Sequence, residues 1–446
     1  MEMSIMKIKG ISITKLHGYI NHNVKFNDDI TFLYGDNGCG KTTILNIITY
    51  IITGRIYELF QYEFEEIVLK YSSSKTKKID MITVGYLNEY ALEISFSQKS
   101  EVIESQRYEI MNRTHGEIDE IERFYLSEYP ILSEIKNVFN YIYLPLNRNG
   151  NIIGDYSFNV RSRKLAQSQY INQKNRYHNT IDLTLADVEY LIKSAYNKVN
   201  FRLNQINEKF SDDILKSFLD VENISNTEQI VDYMNSLTDK EILKIQKDYT
   251  AVLKTIEKWD DETEIKINSF FESLSADIKE AKLTSGKGIT IELLFKLSEF
   301  TKITNIIKKA EKTESAKKKT KQPIEDFINT VNEFICSNTS QKEIYIDTEG
   351  NVRLKTSNQK INIHHLSSGE KQIITFFAYL IFGLKTTNQS IFIVDEPELS
   401  LHLNWQRKFV DAIMSINQNV QLIFATHAPE MIGKYHNKAI KLIPNM

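Results

Sequence analysis

The segment Gly35-Asp36-Asn37-Gly38-Cys39-Gly40-Lys41-Thr42 has the spacing GxxxxGK[ST], and the chemistry of that spacing is the holding of a phosphate chain. Glycines let consecutive backbone N–H groups wrap phosphate oxygens with no Cβ in the way, and a helix starting just after them adds its partial positive charge. Lys41 then reaches the β and γ phosphates, and Thr42 offers a hydroxyl to Mg²⁺. Asn37, Gly38, Cys39, Gly40, Lys41, Thr42 and Thr43 are therefore the candidate contacts to a nucleoside triphosphate, ATP in the first instance.

A complementary group sits far downstream. Ser390-Ile391-Phe392-Ile393-Val394-Asp395-Glu396 runs four apolar β-formers into two adjacent acids, as expected of a buried parallel strand presenting carboxylates at its C-terminal end. In that role Asp395 helps to hold the metal and Glu396 polarises the attacking water. Leu366-Ser367-Ser368-Gly369-Glu370-Lys371-Gln372 places two serines and a glycine at the start of an apolar helix, which by physics alone is an anion site. Ile423-Phe424-Ala425-Thr426-His427 is another apolar strand, ending in a histidine.

These groups need elements to position them. Apolar alternation around Ile11, Val24 and Ile30–Tyr34, broken by Asn and Asp, predicts strands before the glycine loop, and Thr43–Ile52, apolar nearly all round and stopped by Gly54, predicts a buried helix after it. Residues 66–112 alternate again and predict an antiparallel lobe, and Tyr141–Leu144 is a further strand. From about Thr184 to Asn338 apolar residues recur three and four apart, Gly is confined to Gly286 and Gly288, and Pro is absent until Pro323. This predicts a helical insertion, interrupted near Ser211-Asp212-Asp213 and Asp260-Asp261, with a compact bundle favoured over a long coiled coil. Glu311–Lys321, with Lys317-Lys318-Lys319, reads as a solvated linker or a fraying helix end. Residues 343–355 predict a hairpin around Thr348-Glu349-Gly350. The expected organisation is an α/β head split by the insertion: 1–183 with the glycine loop and β lobe, 184–338 helical, 339–446 with the remaining motifs.

Composition narrows the setting. In 446 residues, 55 Lys and Arg meet 58 Asp and Glu, so bulk electrostatics cannot hold DNA and any nucleic-acid surface has to be local. Two cysteines, Cys39 and Cys336, cannot staple so long a chain and predict a reducing compartment. The start has no uninterrupted apolar core of a signal peptide, and the longest uncharged apolar run, Ile373–Leu384, is shorter than a membrane span. A cytoplasmic protein without a membrane partner is expected. One local basic stretch, Arg161, Arg163, Lys164, Lys174 and Arg176 interleaved with Tyr170 and Tyr177, suits nucleic acid, an acidic protein, or simply a solvated loop.

The four motifs and their order resemble the ABC-class ATPases, in which 366–372 corresponds to the signature and His427 to the switch histidine. That resemblance implies that Ser367, Ser368, Gly369 and Glu370 of one subunit cap the γ-phosphate bound by another, sandwiching two ATP molecules in a head-to-tail dimer. It also implies Glu396 and His427 as the catalytic pair and Thr42 and Asp395 as Mg²⁺ ligands. The long interval from Thr43 to Leu366, with Asp395-Glu396-Pro397-Glu398-Leu399-Ser400-Leu401-His402 as a D-loop, is similar to the SMC, RecF and overcoming-lysogenisation-defect group. Asn147 lies where relatives often carry a metal- and water-sensing glutamine, one methylene longer. Nuclease-fused members continue into a toprim domain, whereas this sequence stops 19 residues past His427. The expectation is a separate nuclease partner, as in the ATPase subunits of the PARIS (AriA) and then the Septu (PtuA) anti-phage systems, with self-assembly and a phage protein or DNA as trigger. The alternatives are a RecF-like clamp on DNA and, disfavoured by the long insertion, a transporter motor.

Overall fold

A computed structural model describes residues 6–73, 78–105, 115–145, 180–219, 227–255, 259–283, 289–336, 342–356, 360–383, 391–416 and 420–443. Two compact units emerge, one formed by Met1–Ala195 with Ile324–Met446 and the other by Tyr196–Pro323.

The first unit is the α/β head. Its central sheet is five-stranded and parallel, formed by β3 (Ile30–Tyr34), β8 (Tyr141–Pro145), β12 (Ile391–Asp395), β13 (Gln421–Thr426) and β14 (Ala439–Lys441). The strand order is β14-β3-β13-β12-β8. Every residue of β12 and β13 is buried, which is why both read as continuous apolar runs rather than as alternation. Parallel pairing puts the C-terminal ends of β3, β12 and β13 on one edge, and the phosphate loop, the paired acids and His427 follow those three ends directly.

An antiparallel lobe flanks this sheet. β1 (Met6–Leu16), β2 (Ile20–Lys25), β4 (Glu66–Ser73), β5 (Ile79–Asn88), β6 (Ala91–Phe96) and β7 (Lys99–Glu104) pair in the order β2-β1-β4-β5-β6-β7. α1 (Lys41–Thr53) lies in one apolar core with this lobe, to which α2 (His115–Glu128) contributes Tyr125 and α3 (Pro130–Val138) contributes Ile131, Leu132 and Ile135. Besides the shared apolar core, a polar side chain links lobe and sheet: Gln421, buried at the start of β13, accepts from the Ile8 N–H at 2.8 Å and donates to the carbonyls of Ile8 and Asn27 at 2.7 Å each. A polar side chain survives at that depth because its amide completes the buried backbone N–H and carbonyl of Ile8 and the part-buried carbonyl of Asn27.

A second core on the head gathers Phe376, Phe377, Phe392, Phe409 and Phe424 from α9 (Ser368–Ala378), α10 (Leu403–Ile416), β12 and β13 with Ile344 of β9 (Glu343–Ile346) and Val352 and Leu354 of β10 (Val352–Lys355), which also pairs with β11 (Lys360–Asn362). The expected hairpin over 343–355 is present as β9 and β10, with β11 as its third strand.

The second unit is helical. α5 (Thr227–Ser236), α6 (Asp239–Thr255) and α7 (Asp261–Leu283) share a core of Met234, Ile242, Phe271 and Leu274 with Leu297 and Phe300. Two long helices, α4 (Thr180–Leu219) and α8 (Ile291–Ile335), run through both units. Two expectations are corrected here. Helix α4 continues through Ser211-Asp212-Asp213, where the Ser211 hydroxyl donates back to the Asn207 carbonyl and Lys309 donates to the Asp213 carbonyl at 2.7 Å. Helix α8 continues through Lys317–Lys319 and Pro323, so Glu311–Lys321 is helix rather than linker. Lys317 pairs with Glu314 at 2.9 Å and the Thr320 hydroxyl bonds the Ala316 carbonyl, while Phe327, Val331 and Phe334 anchor the far end in the head core.

Candidate nucleotide site

The phosphate loop leaves β3 and enters α1 at Gly40, whose φ of 92° is the left-handed conformation that glycine adopts without strain. A Cβ there would stand 3.1 Å from His22 Nε2, so a side chain would be strained by the backbone conformation and would crowd His22. His22 is itself buried, and desolvation holds its imidazole below the usual range, in the neutral form. Asp36, Asn37 and Gly38 are exposed while Cys39 and Lys41 are buried, and nothing stands within 4 Å of where a Gly38 Cβ would be. Lys41 folds over its own loop, donating to the Gly35 carbonyl at 2.9 Å and the Asp36 carbonyl at 3.1 Å. Both are weak acceptors for an ammonium compared with phosphate oxygens.

Asp395 ends β12 and is only 4% exposed. Burial pushes its carboxyl up to about 6, and the charges of Glu396 and Glu398 push the same way, against a hydrogen bond from Thr42 and the charge of Lys41. Its Oδ1 is buried with no hydrogen-bond partner among the described residues. A desolvated carboxylate oxygen beside a threonine hydroxyl, under an open glycine loop, is the donor set that a hard divalent cation shared with a triphosphate requires. Thr42 and Asp395 thus fit Mg²⁺.

Glu396 follows with φ 51°, a left-handed conformation uncommon for a side-chain-bearing residue, locked by its N–H bond to the Ala425 carbonyl at 2.8 Å. That conformation turns the chain sharply at the sheet edge. It leaves Glu396 Oε1 3.8 Å from His427 Nε2. The sequence candidates Lys41, Thr42, Asp395, Glu396 and His427 are therefore brought to one edge by three neighbouring strands. Asn147, and the basic stretch 161–176, lie outside the described residues.

The signature segment lies on the same head, at the start of α9. Ser367 caps α9 in a reciprocal capping box with Glu370: the Ser367 N–H and hydroxyl both donate to Glu370 Oε2 at 2.8 Å, and the Glu370 N–H returns to the serine oxygen. Burial raises the Glu370 carboxyl, but Lys342 at 2.9 Å and the Ser367 bonds outweigh it and hold the group below the usual carboxylate range. Glu370 is thus committed within its own chain, while Ser367 and Ser368 remain exposed at the helix start.

Gly369 is required by close packing, since a Cβ would meet the Ser400 carbonyl oxygen at 2.4 Å. The Gln372 amide donates to the Pro397 carbonyl at 3.0 Å. Trp405 packs beside Gly369 and edge-on to Phe334, a structural role. Sequence reasoning assigned no part to Glu398, which accepts a 2.5 Å bond from the His427 N–H, nor to Gln372. The only local sign of Glu398 was a third acid two residues beyond the Asp395-Glu396 pair.

An exposed helix cap of signature type on the head that carries a phosphate loop, a paired-acid strand end and a histidine-ended strand is the combination found in ABC-class P-loop ATPases, here of the SMC, RecF and overcoming-lysogenisation-defect kind. A family model described as "AAA domain, putative AbiEii toxin, Type IV TA system" matches residues 30–433, and the chain belongs to that family. The chain is similar to a retron Vc95 probable ATPase of Vibrio cholerae serotype O1 biovar El Tor, 22% identical over 93% of this chain and 68% of that protein. The Septu protein PtuA of Bacillus thuringiensis is 33% identical over 18% of this chain and 23% of its own length. Among solved structures, the Smc head domain from Pyrococcus furiosus aligns at a TM-score of 0.41 with 13% identity, covering 96% of this chain and 91% of that one. No helix among the described residues is long and apolar enough to cross a membrane.

Proposed function

We propose that the protein binds ATP with Mg²⁺, sandwiches it between two copies, hydrolyses it slowly, and serves as the sensor and scaffold subunit of an anti-phage defence system. In this reading the ATP-bound assembly holds a separate nuclease effector, toprim-type as in the PARIS arrangement, and releases it when a phage protein or DNA is sensed. The kinship with a retron ATPase and a Septu protein supports the defence setting. The observation that carries the switch is the signature cap: Ser367 and Ser368 are presented to solvent on a helix start whose rigidity comes from Glu370 and Lys342 of the same chain. Such a preformed anion surface suits the phosphate held by another copy.

Bound Mg²⁺, held by Thr42 and Asp395, would neutralise charge on the phosphoryl group being transferred. Lys41 exchanges its two loop carbonyls for phosphate oxygens. Glu396 takes the proton of the attacking water, and His427, 3.8 Å away, orients that pair. The test is analytical ultracentrifugation of Glu396→Gln with and without ATP, followed by capture of the products of adjacent genes. ATP-dependent assembly with retention of a nuclease supports the proposal; hydrolysis by the wild type with neither assembly nor a captured partner overturns it. ATP-dependent binding of duplex DNA by an assembly lacking any effector would move the reading to a RecF-like clamp.

A further inference from the structure

We propose that Glu398 is a positioning residue, a strap that sets the backbone of His427 so that its imidazole faces Glu396. The inference rests on the ATPase reading for its consequence, but its geometry stands independently. β13 ends at Thr426, so the N–H of His427 is the first beyond the sheet and has no strand to bond to. Glu398 supplies the acceptor, Oε1 at 2.5 Å, across 29 residues of sequence. The next N–H, of Ala428, is taken by the Thr426 hydroxyl at 3.0 Å. These two bonds fix the turn that carries His427, and the ring they present lies 3.8 Å from Glu396.

The arrangement is unfavourable by itself. The other oxygen of Glu398, Oε2, is buried with no hydrogen-bond partner among the described residues, close enough to Asp395 for its charge to raise that carboxyl. A carboxylate left half-satisfied at a sheet edge already holding Asp395 and Glu396 destabilises the fold, and such groups mark a constraint other than stability. Glu398 also belongs to a segment gripped from its other side. Pro397 accepts from Gln372 of α9, Ser400 lies against Gly369, and the Glu398 carbonyl accepts the Leu401 N–H at 3.0 Å. The residue that holds His427 is therefore seated on the helix that carries the signature serines, and a copy docking at Ser367 bears on the segment that sets the histidine.

The strap needs an acceptor at position 398, not a charge. Glu398→Gln retains one and Glu398→Ala does not. In protein labelled with ¹⁵N only at histidine, the His427 amide proton should lie far downfield in the wild type and in Glu398→Gln, as a short bond to a carboxyl-type oxygen requires, and return upfield in Glu398→Ala. An unmoved His427 amide in Glu398→Ala overturns the proposal whether or not the protein hydrolyses ATP. In the hydrolysis assay Glu398→Ala should lower kcat by about tenfold or more with the ATP dissociation constant unchanged, Glu398→Gln should restore most of it, and Glu398→Ala should add less than about twofold to His427→Ala. Equal losses in Glu398→Gln and Glu398→Ala, or multiplicative effects with His427→Ala, would contradict the strap; absence of hydrolysis in the wild type would instead sink the ATPase reading and leave the amide test standing.

Discussion

Gly369 in the signature cap and Ser400 in the D-loop touch so closely that no side chain fits between them: a Cβ on Gly369 would sit 2.4 Å from the Ser400 carbonyl oxygen. Backbone against backbone leaves neither partner free to yield. Gly369→Ala should displace the start of α9 and strain the core by about 1–3 kcal/mol. Nucleotide binding, whose candidate contacts lie in the glycine loop and the start of α1, should persist while hydrolysis falls by at least about tenfold. Unchanged turnover in a folded Gly369→Ala protein would show that the cap and D-loop need not move together.

In the proposed function Lys41 holds the nucleotide and Glu396 serves its hydrolysis, and the two parts are separable by mutation. Lys41→Ala removes the ammonium that now rests on the carbonyls of Gly35 and Asp36, and ATP affinity should fall beyond ready detection by calorimetry. Glu396→Gln removes the proposed base but keeps the glycine loop, so ATP should stay bound while hydrolysis drops by about 10²-fold or more. A normal rate in Glu396→Gln would take the base role away from Glu396.

Asp395, buried at the end of β12, is destabilising in its ionised form. Its carboxyl is pushed up to about 6 by burial, so without nucleotide and metal the folded state binds the proton more tightly than the unfolded chain does. The sign follows: its contribution favours folding at low pH and is lost as pH rises through about 6. Asp395→Asn should therefore be more stable than the wild type by roughly 2–3 kcal/mol at pH 7–8, with the gain vanishing toward pH 4. Denaturant titrations of the two proteins across that range decide it; a variant less stable at pH 8 would contradict the assignment.

Gln421 carries stability without chemistry. Gln421→Leu would strand the buried N–H and carbonyl of Ile8 and free the part-buried carbonyl of Asn27, destabilising the head by about 2–4 kcal/mol. ATP turnover at low temperature should stay near normal in the folded fraction. A melting temperature within a degree of the wild type would remove the bridge from the account.

What could be read from residues alone was local. The glycine loop, the apolar strands into Asp395 and His427, and the capped start of α9 each lie within about ten consecutive residues, where spacing dictates geometry. Contacts between distant segments left no such trace: Glu398 and His427 are 29 positions apart, and Gln421 is one polar letter at the head of an apolar strand, meaningful only beside Ile8. Helix α8 was hidden for a different reason. Its middle, Lys317–Pro323, has the composition of a linker, and it is helical because its pairs with neighbouring turns and the anchored Phe327 and Phe334 outweigh the hydrogen bond lost at Pro323.

The central claim is that each ATP is completed by two copies, the phosphate loop from one and the signature cap from the other. It is tested most directly by mixing two inactive variants, Lys41→Ala and Ser367→Arg, and measuring hydrolysis. In a mixed head-to-tail dimer one site carries both lesions and the other carries neither, so random pairing should restore about a quarter of the wild-type rate. A mixture that remains as inactive as its two components would contradict the shared site.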